Sequence, residues 1–391
     1  MPHPTTDWDP SEPTTVPARL AQLQDMRARC PVAFAARHEG QWDLLKYEDI
    51  VAAALDPATF SNAGQARYAK PLPPLEFDPP LHGDYRRLLA VFFKPARIAA
   101  MEPNIRRLAT ELLTPLIAAG EGDLAQSLSY PLPALALCAL LNIPGDHWPE
   151  IKAWSENTLL MDSSDPADIA LAKAGHEAII AFAHTMIETR RRDPLSIEDD
   201  ITSALIAARV GGEAMDDDLI ARTLRILISA GHNSTTSALG NSMLYLAENP
   251  DAQALLRAEP SRIPTAVEEI LRCDTPVVEM PRWATRDVEI GGRCIAAGDR
   301  IGMCWGAGNR DETAFPDADQ YLLDRKPNRH LAFGQGIHMC LGAPMARMEI
   351  RVTLEELLSR TTSFSLAGAV ERARFHRMGV VHLPARLEAA A

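Results

Sequence analysis

The sequence predicts a mainly α-helical fold with a small β region. Three observations predict it. Helical, amphipathic spacing recurs from Glu102 to Arg209 with only short breaks at Pro131-Leu132-Pro133, Pro144-Gly145-Asp146 and Ser163-Ser164-Asp165-Pro166. A longer helical pattern runs from Asp217 to about Glu248, with acidic residues in its first turn and Asn249-Pro250 at its end. Strand-like alternation is confined to short pieces next to glycine turns.

Taken in order, Met1 to Pro17 is rich in Pro, Thr and acidic residues and reads as a flexible tail; residues 18–391 form one domain. Ala18 to Arg29 has helical spacing. Val32 to Ala36 and Gln41 to Leu45 read as strands around His38-Glu39-Gly40, and Tyr47 to Leu55 is a helix stopped by Asp56-Pro57. A polar, proline-rich connector, Ser61 to Pro80, is long enough to suggest a functional segment. The helix that follows carries His82 and Arg86, four residues apart and so on one face, placed to grip one anion. Within the long helix, Ala230-Gly231-His232-Asn233-Ser234-Thr235-Thr236 combines small residues with hydroxyls that compete for backbone carbonyls, which opens a groove. Glu269 and Arg272 share a face of the next helix, and Val277 to Pro281 is extended. Val288 to Ile290, Arg293 to Ile295 and Arg300 to Met303 are strands around Gly291-Gly292 and Gly298-Asp299, and Val370 to Pro384 is a hairpin.

Composition narrows the function. A net charge of −13 disfavours nucleic-acid binding, which needs concentrated Lys and Arg. The longest apolar run, Leu132 to Ile143, is too short for a membrane anchor and contains Pro133. Six cysteines without paired spacing suit a reduced, cytoplasmic protein, and zinc lacks a second C-x-x-C or H-x-x-x-H partner.

The chemistry concentrates at Phe333-Gly334-Gln335-Gly336-Ile337-His338-Met339-Cys340-Leu341-Gly342, just before a helical pattern from Leu341 to about Leu358. A sulfur at a helix N-terminus meets unpaired N–H groups that favour a thiolate, and a thiolate binds iron. Gly334 and Gly336 let loop amides turn toward the sulfur, and Gly342 lets the helix start lie close to a flat ligand.

This F-G-x-G-x-H-x-C-x-G string resembles the haem-binding loop of the cytochromes P450. The resemblance covers nearly the whole chain and implies the cytochrome P450 fold, haem b as cofactor and Cys340 as the iron ligand. It implies haem contacts from Gly231, Phe333, Gly334, His338 and Gly342, and propionate binding by His82, Arg86 and Arg282. It puts Glu269 and Arg272 in a buried pair that locks the loop leading to the cysteine. The connector before Pro80 becomes part of the pocket roof, the helices flanking Asn157 to Ala174 a mobile lid, with Leu159, Leu160 and Met161 able to face substrate or core, and Met378 to Val381 a closing segment. Val277, Val278, Glu279 and Met280 fall near substrate, with Glu279 either meeting a polar substrate group or turning to solvent.

The implied reaction inserts one oxygen atom from O2 into a small, mainly apolar organic substrate, by hydroxylation or oxidative demethylation. No dinucleotide loop or iron–sulfur cysteine cluster is present in the sequence, so electrons come from an external ferredoxin-type donor. Arg87, Lys94, Arg97, Arg325, Lys326, Arg329 and Arg347 are its expected proximal-face contacts, and the enzyme is expected to be a monomer. The chain departs from the family where an acid–alcohol pair is usual. Asn233 cannot carry a proton, and Ser234 stands for threonine. Three readings remain: Ser234 acting with water, Thr235 after a helix adjustment, or a peroxide-driven peroxygenase. A rotation of about 100° per residue turns Thr235 away from Ser234 and favours the first. A non-catalytic haem-binding sensor is the remaining alternative.

Overall fold

The computed structural model describes residues 7–8, 15–35, 40–63, 70–163, 165–373 and 378–390. Helices dominate, and their ends follow local chemistry. The long helix Asp217–Glu248 starts where the Asp216 side chain accepts the Leu219 N–H at 2.7 Å, and it stops at Asn249 ahead of Pro250. Pro131 and Pro133 do not break a helix; Pro131 opens the helix Pro131–Leu140, where its missing N–H costs nothing. Pro103 and Pro115 lie within Pro95–Ala119, which nevertheless continues to a left-handed Gly120.

These helices enclose one large apolar cluster around the long helix, with Leu224, Ile228, Leu239 and Met243 fully buried. A five-stranded sheet packs beside it, in the order Val32–Ala35, Gln41–Leu44, Arg300–Met303, Met280–Ala284, Phe60–Ser61. Arg300–Met303 runs parallel to Gln41–Leu44 and antiparallel to Met280–Ala284. The strand containing Arg282 is therefore fixed between two neighbours. The expected turn at His38-Glu39 and part of the Ser61–Pro80 connector lie outside the described residues.

Asp7 and Trp8 correct the expectation of a tail that is loose throughout. Trp8 is buried, pairs with Ala35 and donates its indole N–H to Asp43 at 2.9 Å. The gain from burying an indole whose polar edge is satisfied outweighs the cost of ordering two residues.

Glu349, on the helix Ala343–Arg360, is a second unexpected burial: its Oε2 has no hydrogen-bond partner among the described residues. Burial raises its carboxyl well above the ordinary carboxylate range. Its proton is thus retained on folding but lost on unfolding above about pH 4.3, so its contribution to stability declines as pH rises. Urea unfolding should show Glu349→Gln gaining stability on the parent as pH rises above about 4.3. A difference that stays flat with pH would contradict a buried neutral carboxyl.

Candidate active site

The Cys340 loop is built by close backbone approaches. Gly334 and Gly336 have φ of +69° and +75°, and a Cβ on Gly336 would stand 2.1 Å from the Ala54 carbonyl oxygen. Loop closure comes from the Cys340 N–H donating to the Phe333 carbonyl at 2.8 Å. The helix begins at Ala343 with Gly342 as its N-cap, two residues later than the sequence pattern suggests. The Phe333 ring lies 4.4 Å from the Arg347 guanidinium carbon.

Cys340 is both accessible and deep. Its surface is open, yet burial among surrounding atoms raises its thiol, while the Gly342 N–H, Arg86, the Ala343 N–H and Arg347 pull it down. The sulfur therefore opens onto an interior space. Gly342 borders that space: φ is −81°, so no backbone strain demands glycine, and a Cβ would sit 3.9 Å from the Cys340 sulfur. Space beside the sulfur, and not local conformation, is what a side chain there would take.

Around the loop the structure assembles a cationic pocket. The His82 and His338 rings are 4.2 Å apart. Burial, then Arg282, His82 and Arg86, push His338 down to about 3; burial and Arg86 lower His82 against Asp78. Burial lowers Arg282 to about 10, and its one described hydrogen bond is to its neighbour's carbonyl, Pro281 O, at 2.8 Å. Arg86 donates to the Met339 carbonyl. The nearby carboxylate, Asp78, is already engaged by Ser61 Oγ and the Asn62 N–H. Two buried nitrogens, His82 Nε2 and His338 Nε2, have no hydrogen-bond partner among the described residues. A ligand bringing two carboxylates would satisfy such a pocket. The residues present fit haem with its propionates, and Cys340 fits the axial thiolate.

The long helix presents a matching face. Leu227, Ala230, Gly231 and Ser234, spaced i, i+3, i+4 and i+7, keep accessible surface, as do Ile226 and Ser229 beside them, and Ser234 is the last accessible residue before a buried run. Asn233 and Thr235 are buried to either side, and the Asn233 amide donates to the Ser155 carbonyl at 3.2 Å. The described hydroxyl that bonds a carbonyl in this turn is Ser237, to Asn233 O at 3.1 Å.

The chain matches the family model for cytochrome P450 over residues 166–388. It is 35% identical to the erythromycin C-12 hydroxylase of Saccharopolyspora erythraea over 94% of each chain, and 31% identical to linalool 8-monooxygenase of Pseudomonas putida over 89% and 90%. The chain belongs to the cytochrome P450 family. Among solved structures, cytochrome P450 CYP109Q5 from Chondromyces apiculatus superposes with a TM-score of 0.87 at 30% identity, covering 98% of both chains. A mutant P450 EryK in complex with erythromycin B gives 0.87 at 34% identity over 95% and 96%. Cytochromes P450 bind haem b and act as monooxygenases, and the fold and cofactor expected from the loop hold for this chain.

Three expected roles need correction. Glu279 is only partly exposed and is paired within the protein: it accepts a hydrogen bond from the Gln41 amide at 2.7 Å, where Gly302 leaves a gap for its carboxylate. Val278 is packed under Gly306, where a Cβ would stand 3.0 Å from Val278 Cγ1, so Val277, Glu279 and Met280 are the partly accessible members of that segment. Arg325 is buried and donates to Glu269 at 3.0 Å, which removes it from any docking surface. Arg97 and Arg347 are also engaged, with Asp199 at 2.8 Å and Glu268 at 2.7 Å. Sequence spacing offered no signal for these partners, most of which are remote in the chain.

Proposed function

We propose that this chain binds haem through Cys340 and inserts one oxygen atom from O2 into a small, mainly apolar organic molecule, by hydroxylation or oxidative demethylation. A single domain spanning residues 18–391 carries the site, works as a cytoplasmic monomer and draws electrons from a ferredoxin-type donor. The observation that carries the reading is the open sulfur of Cys340 beside a pocket of four basic side chains, two of which, His82 and His338, keep a buried Nε2 with no hydrogen-bond partner among the described residues. Linalool and erythromycin, in the names of two relatives, support an organic substrate with a largely apolar skeleton. No described helix is long and apolar enough to cross a membrane.

Bound haem supplies thiolate-assisted oxygen activation. His82, Arg86, Arg282 and His338 hold its carboxylates, while Ser234 donates a proton at the distal face with a water relay. Ser234 is favoured over Thr235 because it belongs to the accessible stripe and Thr235 does not. Asn233 serves to hold the long helix against the Ser155 carbonyl. Donor docking falls to Lys94, Lys326 and Arg329, which are exposed, and to Arg87, which is exposed although paired with Asp84.

Substituting Ser234→Ala should lower product formed per NADH oxidised and slow product formation by about 10² or more, the usual worth of a positioned proton donor. Reductant consumption and product are measured together with ferredoxin, reductase and NADH. Coupling that is unchanged in Ser234→Ala but collapses in Thr235→Ala would assign the donor to Thr235. Equal turnover with hydrogen peroxide alone would favour the peroxygenase reading.

A further inference from the structure

Gln41 is fully buried in the second strand, and every polar position of its amide is used. Its Nε2 donates to Glu279 Oε1 at 2.7 Å and to Asp43 Oδ1, while its Oε1 accepts from Arg300 Nε at 2.7 Å. Asp43 Oδ2 is met by the Trp8 indole, and the Cys304 sulfur stands 3.9 Å from Glu279 Oε2. Gly302 makes room for this arrangement, since a Cβ there would lie 2.2 Å from Asp43 Oδ1 and 2.9 Å from Glu279 Cδ. Donor atoms of Asp43, Glu279 and Cys304 lie within 4.8 Å of one another, but the amide and indole already satisfy the carboxylates, so hydrogen bonding accounts for the grouping without a metal.

The location of Glu279 gives this network a consequence. Ladder pairing with Arg300–Met303 begins at Met280, so the residues just before it lie beyond that ladder. They are held by the Gly306 N–H on the Val278 carbonyl at 3.1 Å and by the Glu279 side chain on Gln41. Arg282, three residues further, belongs to the cationic pocket.

We propose that Glu279 is a positioning residue for the substrate side of the site. Clamped by Gln41, it sets where Val277 and Met280 stand and keeps its own carboxylate out of the space they border. The proposal rests on the haem-thiolate reading above. A part-buried, charge-assisted hydrogen bond from the fully buried Gln41 amide to a residue 238 positions away fixes backbone position more tightly than one contact of an exposed segment would.

Binding of imidazole and of 4-phenylimidazole to the ferric holoenzyme separates the two levels of the argument. Imidazole reports access to the iron, and the phenyl group of the larger probe reports the wall beside it. In Glu279→Ala and Gln41→Leu the ratio of the two dissociation constants should shift at least about fivefold, with no further shift in the double variant, as for directly contacting residues. Glu279→Gln keeps an acceptor for the Gln41 amide and should restore the parent ratio to within about twofold. An unchanged ratio in both single variants, or Glu279→Gln behaving like Glu279→Ala, overturns the proposal. Should both single variants fail to fold, hydrogen exchange of the parent decides: a Gly306 amide, which donates to the Val278 carbonyl, protected like those of Met280–Ala284 supports the clamp, and loop-like exchange there contradicts it. Absence of a thiolate-type carbon monoxide spectrum in the parent would instead sink the haem reading.

Discussion

Replacing Arg272 by methionine is expected to destabilise the protein by about 3–5 kcal/mol, the cost of stranding one member of a buried ion pair, and to cause loss of haem. Arg272 is fully buried and donates to both oxygens of Glu269 at 2.8 Å. It also donates to the carbonyls of Asn309, Ala318 and Gln320 at 2.8, 2.6 and 2.9 Å. Glu269 in turn accepts from Arg325, from Asn328 Nδ2 at 3.1 Å and from the Leu322 N–H at 2.9 Å. One side chain thus ties the helix Ile263–Cys273 to the irregular chain that leads into the cysteine loop. Total stabilities of about 5–15 kcal/mol leave little margin for such a loss. Denaturant titration of Arg272→Met should show it directly. A cost below about 1 kcal/mol, the worth of an exposed ion pair, would mean that the network contributes no more than surface charge.

Cys340→Ala should fold with nearly the parent secondary structure and lose essentially all monooxygenase activity, by more than about 10³, or over 4 kcal/mol of barrier. Folding survives because the loop is held by backbone contacts: Cys340 contributes its N–H to the Phe333 carbonyl, and Gly334 donates its N–H to the Leu331 carbonyl at 2.8 Å. Activity fails because the other buried thiols are committed elsewhere. Cys273 is enclosed with its thiol raised to about 12, and Cys304 belongs to the Gln41 network. Assay of product with ferredoxin, reductase and NADH measures the loss. Retention of a tenth of the parent rate would contradict the assignment of the iron ligand.

What the sequence made legible is what local physics controls. The helix Tyr47–Leu55, the helix Asp217–Glu248 and the strands Val288–Ile290, Arg293–Ile295 and Arg300–Met303 were bounded by turn and cap residues that act within a few positions. His82 and Arg86 were readable as a pair because helical spacing fixes their common side, and the structure joins them to His338 and Arg282. Trp8 was not readable: an isolated aromatic in a proline-rich stretch carries no period, and its partner Asp43 comes from another element. Glu279 was misjudged for the same reason, since Gln41 is 238 positions away. Arg325 looked like one more surface cation, although Glu269 offers more acceptor capacity than Arg272 alone fills. Misreadings fell where a charged group finds its partner through tertiary packing, and such pairings leave no trace in spacing.

The most direct test of the account is the absorbance of the dithionite-reduced parent protein under carbon monoxide. Iron held by the Cys340 sulfur predicts the strongly red-shifted Soret band of thiolate-ligated haem, absent in Cys340→Ala. A band at the shorter wavelength typical of histidine-ligated haem, in a protein freshly purified and folded, would contradict it.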